Sequence, residues 1–258
     1  MNFENKTLQE NLNYLKLPTI LQNYESTAAQ SARTNLSHME FLNELIAQEA
    51  AERLARSVKR RLGQAHLPYS KTLDMFQWHH PQKINRQQIQ HLFTLTFIAE
   101  KINPVFIALT GLGKTHLAIA LAREACRKAH TVLFTTAAEM ILKLKAAQQA
   151  NQLIQELKKY TNPALLLIDQ LGYFTVDDHG TELFFQVISN RYERASTILT
   201  SNRIFKDWHL IFNNDVMAAS AILDRVLHHS EVIIIEGESY RLKDKIILEK
   251  STENPEKI

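Results

Sequence analysis

Ile107-Ala108-Leu109-Thr110-Gly111-Leu112-Gly113-Lys114-Thr115-His116 lies between two segments of different periodicity. Val105-Phe106-Ile107 at its front reads as a short buried strand, and His116-Leu117-Ala118-Ile119-Ala120-Leu121-Ala122 behind it as an Ala/Leu-rich helix. Strand, glycine-containing loop and helix form the arrangement that wraps backbone N–H groups around phosphates at a helix N-terminus. The loop fits G-x-x-x-x-G-K-[ST] at Gly113, Lys114 and Thr115, but Ala108 stands where the first glycine belongs. Lys114 would place charge at the terminal phosphates, and the Thr115 hydroxyl would ligate Mg²⁺. The stretch points to a nucleoside triphosphate held by Thr110, Gly111, Leu112, Gly113, Lys114, Thr115 and His116. The plainer alternative is a strand-to-helix turn with a surface lysine.

The sequence has 258 residues, 45% hydrophobic and 22% charged, enough for one large domain or a small one plus a medium one. A single cysteine, Cys126, excludes an internal disulfide framework and fits a reducing cytoplasm. No apolar run reaches the roughly 20 residues needed to span a bilayer, and Met1-Asn2-Phe3-Glu4-Asn5-Lys6 lacks a signal peptide's apolar core, so a cytoplasmic protein with no membrane partner is expected. With a net charge of only +3, nucleic-acid affinity would have to come from a local patch.

Two capping boxes, Thr7-Leu8-Gln9-Glu10 and Ser37-His38-Met39-Glu40, mark helix starts in the first 80 residues. The second opens a helix running to about Leu62, with Leu42, Leu45, Ile46, Leu54, Val58 and Leu62 as its expected core face. Its far end carries Arg53, Arg56, Lys59, Arg60 and Arg61, either a DNA-contacting stripe or a solvated face near a helix C-terminus. Gly63, Pro68 and Gln77-Trp78-His79-His80-Pro81 break the periodicity and read as a linker. His79, His80, His228 and His229 lack a cysteine partner, and adjacent histidines on a helix face different ways, so no metal is assigned to them.

After a helix from about Asn85 to Leu95 and the loop strand, strands and helices alternate: Val132–Phe134, a helix near Ala137–Lys159, Leu165–Ile168, a helix near Glu182–Glu193, and Thr197–Thr200. That alternation predicts an α/β fold, a parallel sheet covered by helices on both faces. Leu165-Leu166-Leu167-Ile168-Asp169 has the form of a Walker B strand, which would bring Asp169 to the metal. The neighbouring Gln170 can orient water but cannot accept its proton, so slow hydrolysis is expected. Asn202, after the Thr197–Thr200 strand, occupies the place of a γ-phosphate sensor or of a turn-former. Arg225, in Ile222-Leu223-Asp224-Arg225-Val226-Leu227, either pairs with Asp224 or reaches a phosphate across a subunit boundary.

Together with Val132-Leu133-Phe134-Thr135-Thr136-Ala137, Leu171-Gly172-Tyr173, Arg191-Tyr192-Glu193-Arg194, Thr200-Ser201-Asn202-Arg203 and Glu238-Ser239-Tyr240-Arg241, these motifs closely resemble the IstB family. Its members are AAA+ ATP-binding helpers of insertion-sequence transposition, related to DnaC-type helicase loaders. The resemblance implies a helical N-terminal DNA-binding and assembly domain over 1–80, an AAA+ domain over 81–245 and a polar tail over 246–258. It also implies ATP and Mg²⁺ as cofactors, with Lys114 and Thr115 as Walker A residues and Asp169 as the Walker B aspartate. Asn202 would be sensor I, Arg225 an arginine finger, and Arg241 a second phosphate sensor. Double-stranded DNA, a homo-oligomer on that DNA and the transposase of the same element would be the partners.

Ala108 and Leu109 replace the family's Gly-Pro, Gln170 its Glu, and Ala129 and Ala195 its loop glycines, which predicts strained or reshaped loops where φ is positive. The alternatives are an ATP-locked DNA-binding scaffold, an inactive element copy, or a replicative helicase loader.

Overall fold

The computed structural model describes residues 7–240, and its internal packing divides the chain at Arg60/Arg61. The first unit is helical. Thr7 caps α1 (Leu8–Tyr14) by accepting from the Glu10 N–H while the Glu10 carboxylate accepts from the Thr7 N–H, the reciprocal box its sequence predicts. Ser37 and Glu40 repeat that exchange at the start of α3 (His38–Gln64). The helix between them, α2 (Pro18–Thr34), opens on proline and has no cap of its own. Glu49 of α3 supplies one, accepting from the Thr19 and Ile20 N–H groups at 2.8 and 3.2 Å. Burial pushes the Glu49 carboxyl up, but those two N–H groups and the Arg56 guanidinium outweigh it and hold it below the ordinary carboxylate range.

Among the described residues, Leu12, Ile20 and Leu45 form the buried apolar centre of this unit. The expected core face of α3 is therefore corrected: Leu45 is buried, whereas Leu42, Ile46 and Leu54 are at least half exposed. The 3.6-residue repeat is real, but the rest of this unit presents too little apolar surface to cover it. Val58 is half-buried, and Leu62 packs into the second unit's core.

The division also falls earlier than residue 80. Leu62, Ala65, Leu67, Leu73, Phe76 and Trp78, expected as the end of a helix and a linker, pack into the core of the second unit. The Phe134 N–H donates to the Ala65 carbonyl at 2.8 Å, tying this stretch to the sheet. Polar punctuation had masked its apolar content. The 246–258 tail lies outside the described residues.

In the second unit, α4 (Arg86–Leu92) is the helix expected from about Asn85 to Leu95, capped by Asn85 and ending at Phe93, and a left-handed Leu95 separates it from a short α5 (Thr96–Glu100). Five parallel strands follow: β1 (Asn103–Ala108), β2 (Val132–Thr136), β3 (Leu165–Leu171), β4 (Ser196–Ser201) and β5 (Ser230–Ile235), in the order β2-β3-β4-β1-β5. Between them run α6 (Lys114–Arg127), α7 (Ala137–Gln149), α8 (Leu153–Thr161), α9 (Asp178–Arg191), a 3-10 turn (Phe205–Leu210) and α10 (Val216–Leu227). The strands alternate between two cores: Phe106, Ala108, Leu165 and Leu167 face one, Val105, Ile107, Leu166 and Ile168 the other. Side chains of period two buried on both faces produce the expected sheet between two helical layers.

The helix expected over Ala137–Lys159 is two helices, because Asn151 adopts φ +57° and ends the first. Asp177 caps α9 one turn ahead of the expected start, accepting from the Gly180 N–H. Of the two loop alanines expected to carry strain, Ala129 does, at φ +72°. Ala195 does not, because Glu193 takes the left-handed turn at φ +57°.

Candidate functional site

The strand order places β4 between β1 and β3, so the loop after β1 and the ends of β3 and β4 meet at the carboxyl edge of the sheet. Open parallel sheets bind ligands at that edge. Ala108 is the last residue of β1, paired with Ile235 and buried, and its φ is not positive, so its Cβ imposes no strain on the loop. The loop glycines at positive φ are Gly111, at +86°, and Gly113, the N-cap of α6 at +87°. A Cβ at Gly113 would also lie 2.6 Å from the Phe76 ring.

Lys114 is 4% exposed, yet its ammonium meets only neutral oxygens: the Leu109 carbonyl at 3.3 Å and the Tyr173 hydroxyl at 3.1 Å. No carboxylate lies within 4.0 Å of it among the described residues. A buried cation without a counter-ion, at the positive end of a helix, fits an anion. Next to it, the Thr115 hydroxyl donates to Asp169 at 2.8 Å, and Thr200 donates to the same carboxylate oxygen. A hard divalent cation would find a hydroxyl and a carboxylate already together here.

Gln170 follows at a β-bulge, with φ +65° and its N–H on the Thr200 hydroxyl at 3.0 Å; its side chain is exposed into the cleft. Bulges of this kind re-aim a side chain beside a site. The cleft encloses about 430 Å³ between the loop, Gln170 and Tyr173 on one side and Tyr69, Lys71, Met75, Phe76, His80 and Tyr240 on the other.

Several predicted residues play parts the motifs do not specify. Leu112 is buried in the core, and His116 turns its ring to the Thr72 carbonyl at 2.8 Å and to the edge of Phe76. Burial holds the His116 imidazole below its ordinary pKa, so a neutral ring braces the far wall of the cleft. Thr110 reaches Tyr173 at 3.2 Å, and Gly111 accepts from the Tyr240 N–H. Asn202 sits against Gly172, whose missing Cβ leaves room for it, and its Oδ1 is buried without a partner. Arg241 lies outside the described residues.

Sequence reasoning missed Tyr173 and the aromatic wall from Tyr69 to His80. Tyr69, Phe76 and Trp78 within a supposed linker were the available signal, since solvated linkers rarely concentrate aromatic side chains.

The profile of the IstB-like ATP binding proteins matches residues 10–247. The chain belongs to that family. An IstB relative from Geobacillus stearothermophilus, named as an ATP-binding protein of insertion sequence IS5376, is 38% identical over 94% of this chain and 96% of its own length. A second, named for insertion sequence IS21 of Pseudomonas aeruginosa, is 40% identical over 91% of this chain and 88% of its own. Among solved structures, the DnaC helicase loader matches with a TM-score of 0.52 at 22% identity, over 65% of this chain and 98% of its own. DnaA of Aquifex aeolicus bound to AMPPCP matches with 0.52 at 21% identity, over 73% of this chain and 56% of that one, so this chain spans little more than half of DnaA. At such identities the likeness is one of fold, the AAA+ P-loop fold.

In this IstB chain Arg225 does not line the cleft; on α10 its guanidinium stacks 4.5 Å over Phe185 and donates to the Ala221 carbonyl. In the basic stripe, Arg53 donates to the Lys16 carbonyl and flanks Glu49 at 3.7 Å, while Arg56 pairs with Glu49 at 3.1 Å. Arg61 donates to the Cys126 carbonyl, and Lys59 and Arg60 are exposed.

Proposed function

We propose that this protein binds Mg²⁺-ATP in the P-loop cleft, assembles as a homo-oligomer on double-stranded DNA and stimulates the transposase of its own insertion sequence. The buried Lys114 ammonium, without a carboxylate partner beside the Thr115–Asp169 bond, is the observation that carries the nucleotide part of this reading. Lys114 and the N–H groups of Gly111 to Thr115 would hold the phosphates, and Thr115 and Asp169 the metal. Bound Mg²⁺ would neutralise charge on the phosphate oxygens. Asn202 would face the γ-phosphate from the end of β4, and Arg225, which does not line its own cleft, would serve a neighbouring protomer. Lys59 and Arg60, with the half-exposed Arg53 and Arg56, give α3 a cationic face for DNA phosphates. The names of the insertion-sequence relatives support the transposition reading, and pull-downs against the transposase and a replicative helicase separate it from helicase loading.

Lys114→Ala should weaken Mg²⁺-ATP binding by about a hundredfold, the loss of a charge-assisted contact of about 3 kcal/mol. Equal affinity in calorimetry would overturn the nucleotide reading. A second reading, an ATP-locked scaffold, is favoured by Gln170, which lines the cleft without a group that takes a proton. Gln170→Glu should then raise steady-state turnover with DNA present by about tenfold or more, and unchanged turnover would remove the missing base as the cause.

A further inference from the structure

A second constellation lies at the other end of the sheet, where β4 and β5 begin. Tyr192 and Glu193 follow α9, and His228 and His229 follow α10. On one continuous helix the two adjacent histidines would face different ways. The structure ends α10 at Leu227, and the two rings converge, with centroids 4.2 Å apart. Both rest against the face of Tyr192, at 5.9 and 6.3 Å. The left-handed Glu193 turns its carboxylate onto the pair: Oε1 is 3.3 Å from His229 Nε2 and 4.0 Å from His228 Nδ1. One ligand atom from each of the three residues lies within 4.8 Å of the others.

We propose that Glu193, His228 and His229 form a binding site for a divalent transition cation of the Zn²⁺ class. Bonds of about 2.0–2.1 Å in a tetrahedral site put ligand atoms about 3.3 Å apart, so the Glu193–His229 edge already has that spacing. The remaining edges need shifts that partly exposed side chains make by rotamer adjustment. Two imidazoles with one carboxylate select zinc-like ions over Mg²⁺ or Ca²⁺, which prefer oxygen-only shells. The Tyr192 hydroxyl, 2.6 Å from His228 Nδ1, marks the nitrogen that carries the free lone pair when the phenol donates. On metal binding that lone pair turns to the cation, and the phenol oxygen or a water takes the open position. None of these residues lines the P-loop cleft, so the site is separate from the nucleotide and independent of the proposed function. Its occupant would clasp the end of α9 to the end of α10, the helix that carries Arg225.

The test is a titration of the full, nucleotide-free chain with Zn²⁺ against a chromophoric chelator, with Co²⁺ absorption reporting ligand type. One ion per chain is expected, with a visible Co²⁺ spectrum of tetrahedral nitrogen and oxygen ligation. Affinity should fall about tenfold or more in His229→Ala and in the near-isosteric Glu193→Gln. His79→Ala and Cys126→Ser should leave it unchanged; burial pushes the Cys126 thiol up to about 11, which disfavours the thiolate a metal needs. No binding to the unmodified protein, or equal affinity in Glu193→Gln, would reduce the cluster to a hydrogen-bonded surface group and overturn the proposal.

Discussion

Tyr173 is the aromatic partner of Lys114 in the cleft. Its hydroxyl touches both the Lys114 ammonium and the Thr110 hydroxyl, and the ring centroid lies 5.4 Å from Lys114 Nζ. Desolvation pushes the Tyr173 phenol up, but the hydrogen bonds from Thr110 and Lys114 and the charge of Lys114 leave it below its ordinary value. A phosphate bound in the loop, as proposed, would take the ammonium from this oxygen. Tyr173→Phe removes the better of two neutral partners of a buried cation, at about 1.5–3 kcal/mol. Thermal melts should then show a lower midpoint without nucleotide and a larger gain on adding Mg²⁺-ATP, because the ligand now relieves a greater deficit. An unchanged midpoint and gain would remove Tyr173 from the phosphate site. The sequence announced Lys114 and Thr115 because a loop of this type fixes their spacing, and Asp169 because it ends an apolar strand. Tyr173 and Phe76 stayed hidden because an aromatic ring can enter a cleft from many places in a sequence.

At the scale of elements, the end of α6 shows what a misplaced alanine costs. His130 N–H donates to the Ala125 carbonyl at 2.9 Å and Ala129 N–H to Cys126 at 3.3 Å, a Schellman closure with Ala129 at its left-handed position. Glycine accepts that conformation, whereas a Cβ costs about 1 kcal/mol. Ala129→Gly should raise the midpoint of thermal unfolding by about 2–4 °C, and a fall would show that the loop has repacked around the methyl group. Ala108 needs no such repair, being ordinary strand. A glycine missing from a motif therefore signals strain only where φ is positive, and the sequence alone does not say where that is. Four of the five strands were legible from apolar runs between helices. The fifth, Ser230–Ile235, was passed over beside the paired histidines, although Val232-Ile233-Ile234-Ile235 is a β-branched run suited to a strand.

For the molecule as a whole, alternating elements were enough to predict a parallel sheet between helical layers, since the other architecture that buries both faces of such strands, the closed barrel, needs eight of them. The division at Arg60/Arg61 was not legible. It falls inside α3, where the helical repeat continues unchanged while the packing partners change from one unit to the other. A run of residues read as a linker thus became a wall of the cleft. That wall gives the protein an optical reporter of its own. Of its two tryptophans, Trp208 is fully buried in the core. Trp78 packs edge-on at 5.0 Å against Phe76, the ring that closes over Gly113. Arg86 lies 5.0 Å over the Trp78 ring. Mg²⁺-ATP should therefore change the intrinsic fluorescence of the unmodified protein and leave Trp78→Phe almost silent, with Trp208 as a constant background. A response that survives in Trp78→Phe would place the emitting change elsewhere.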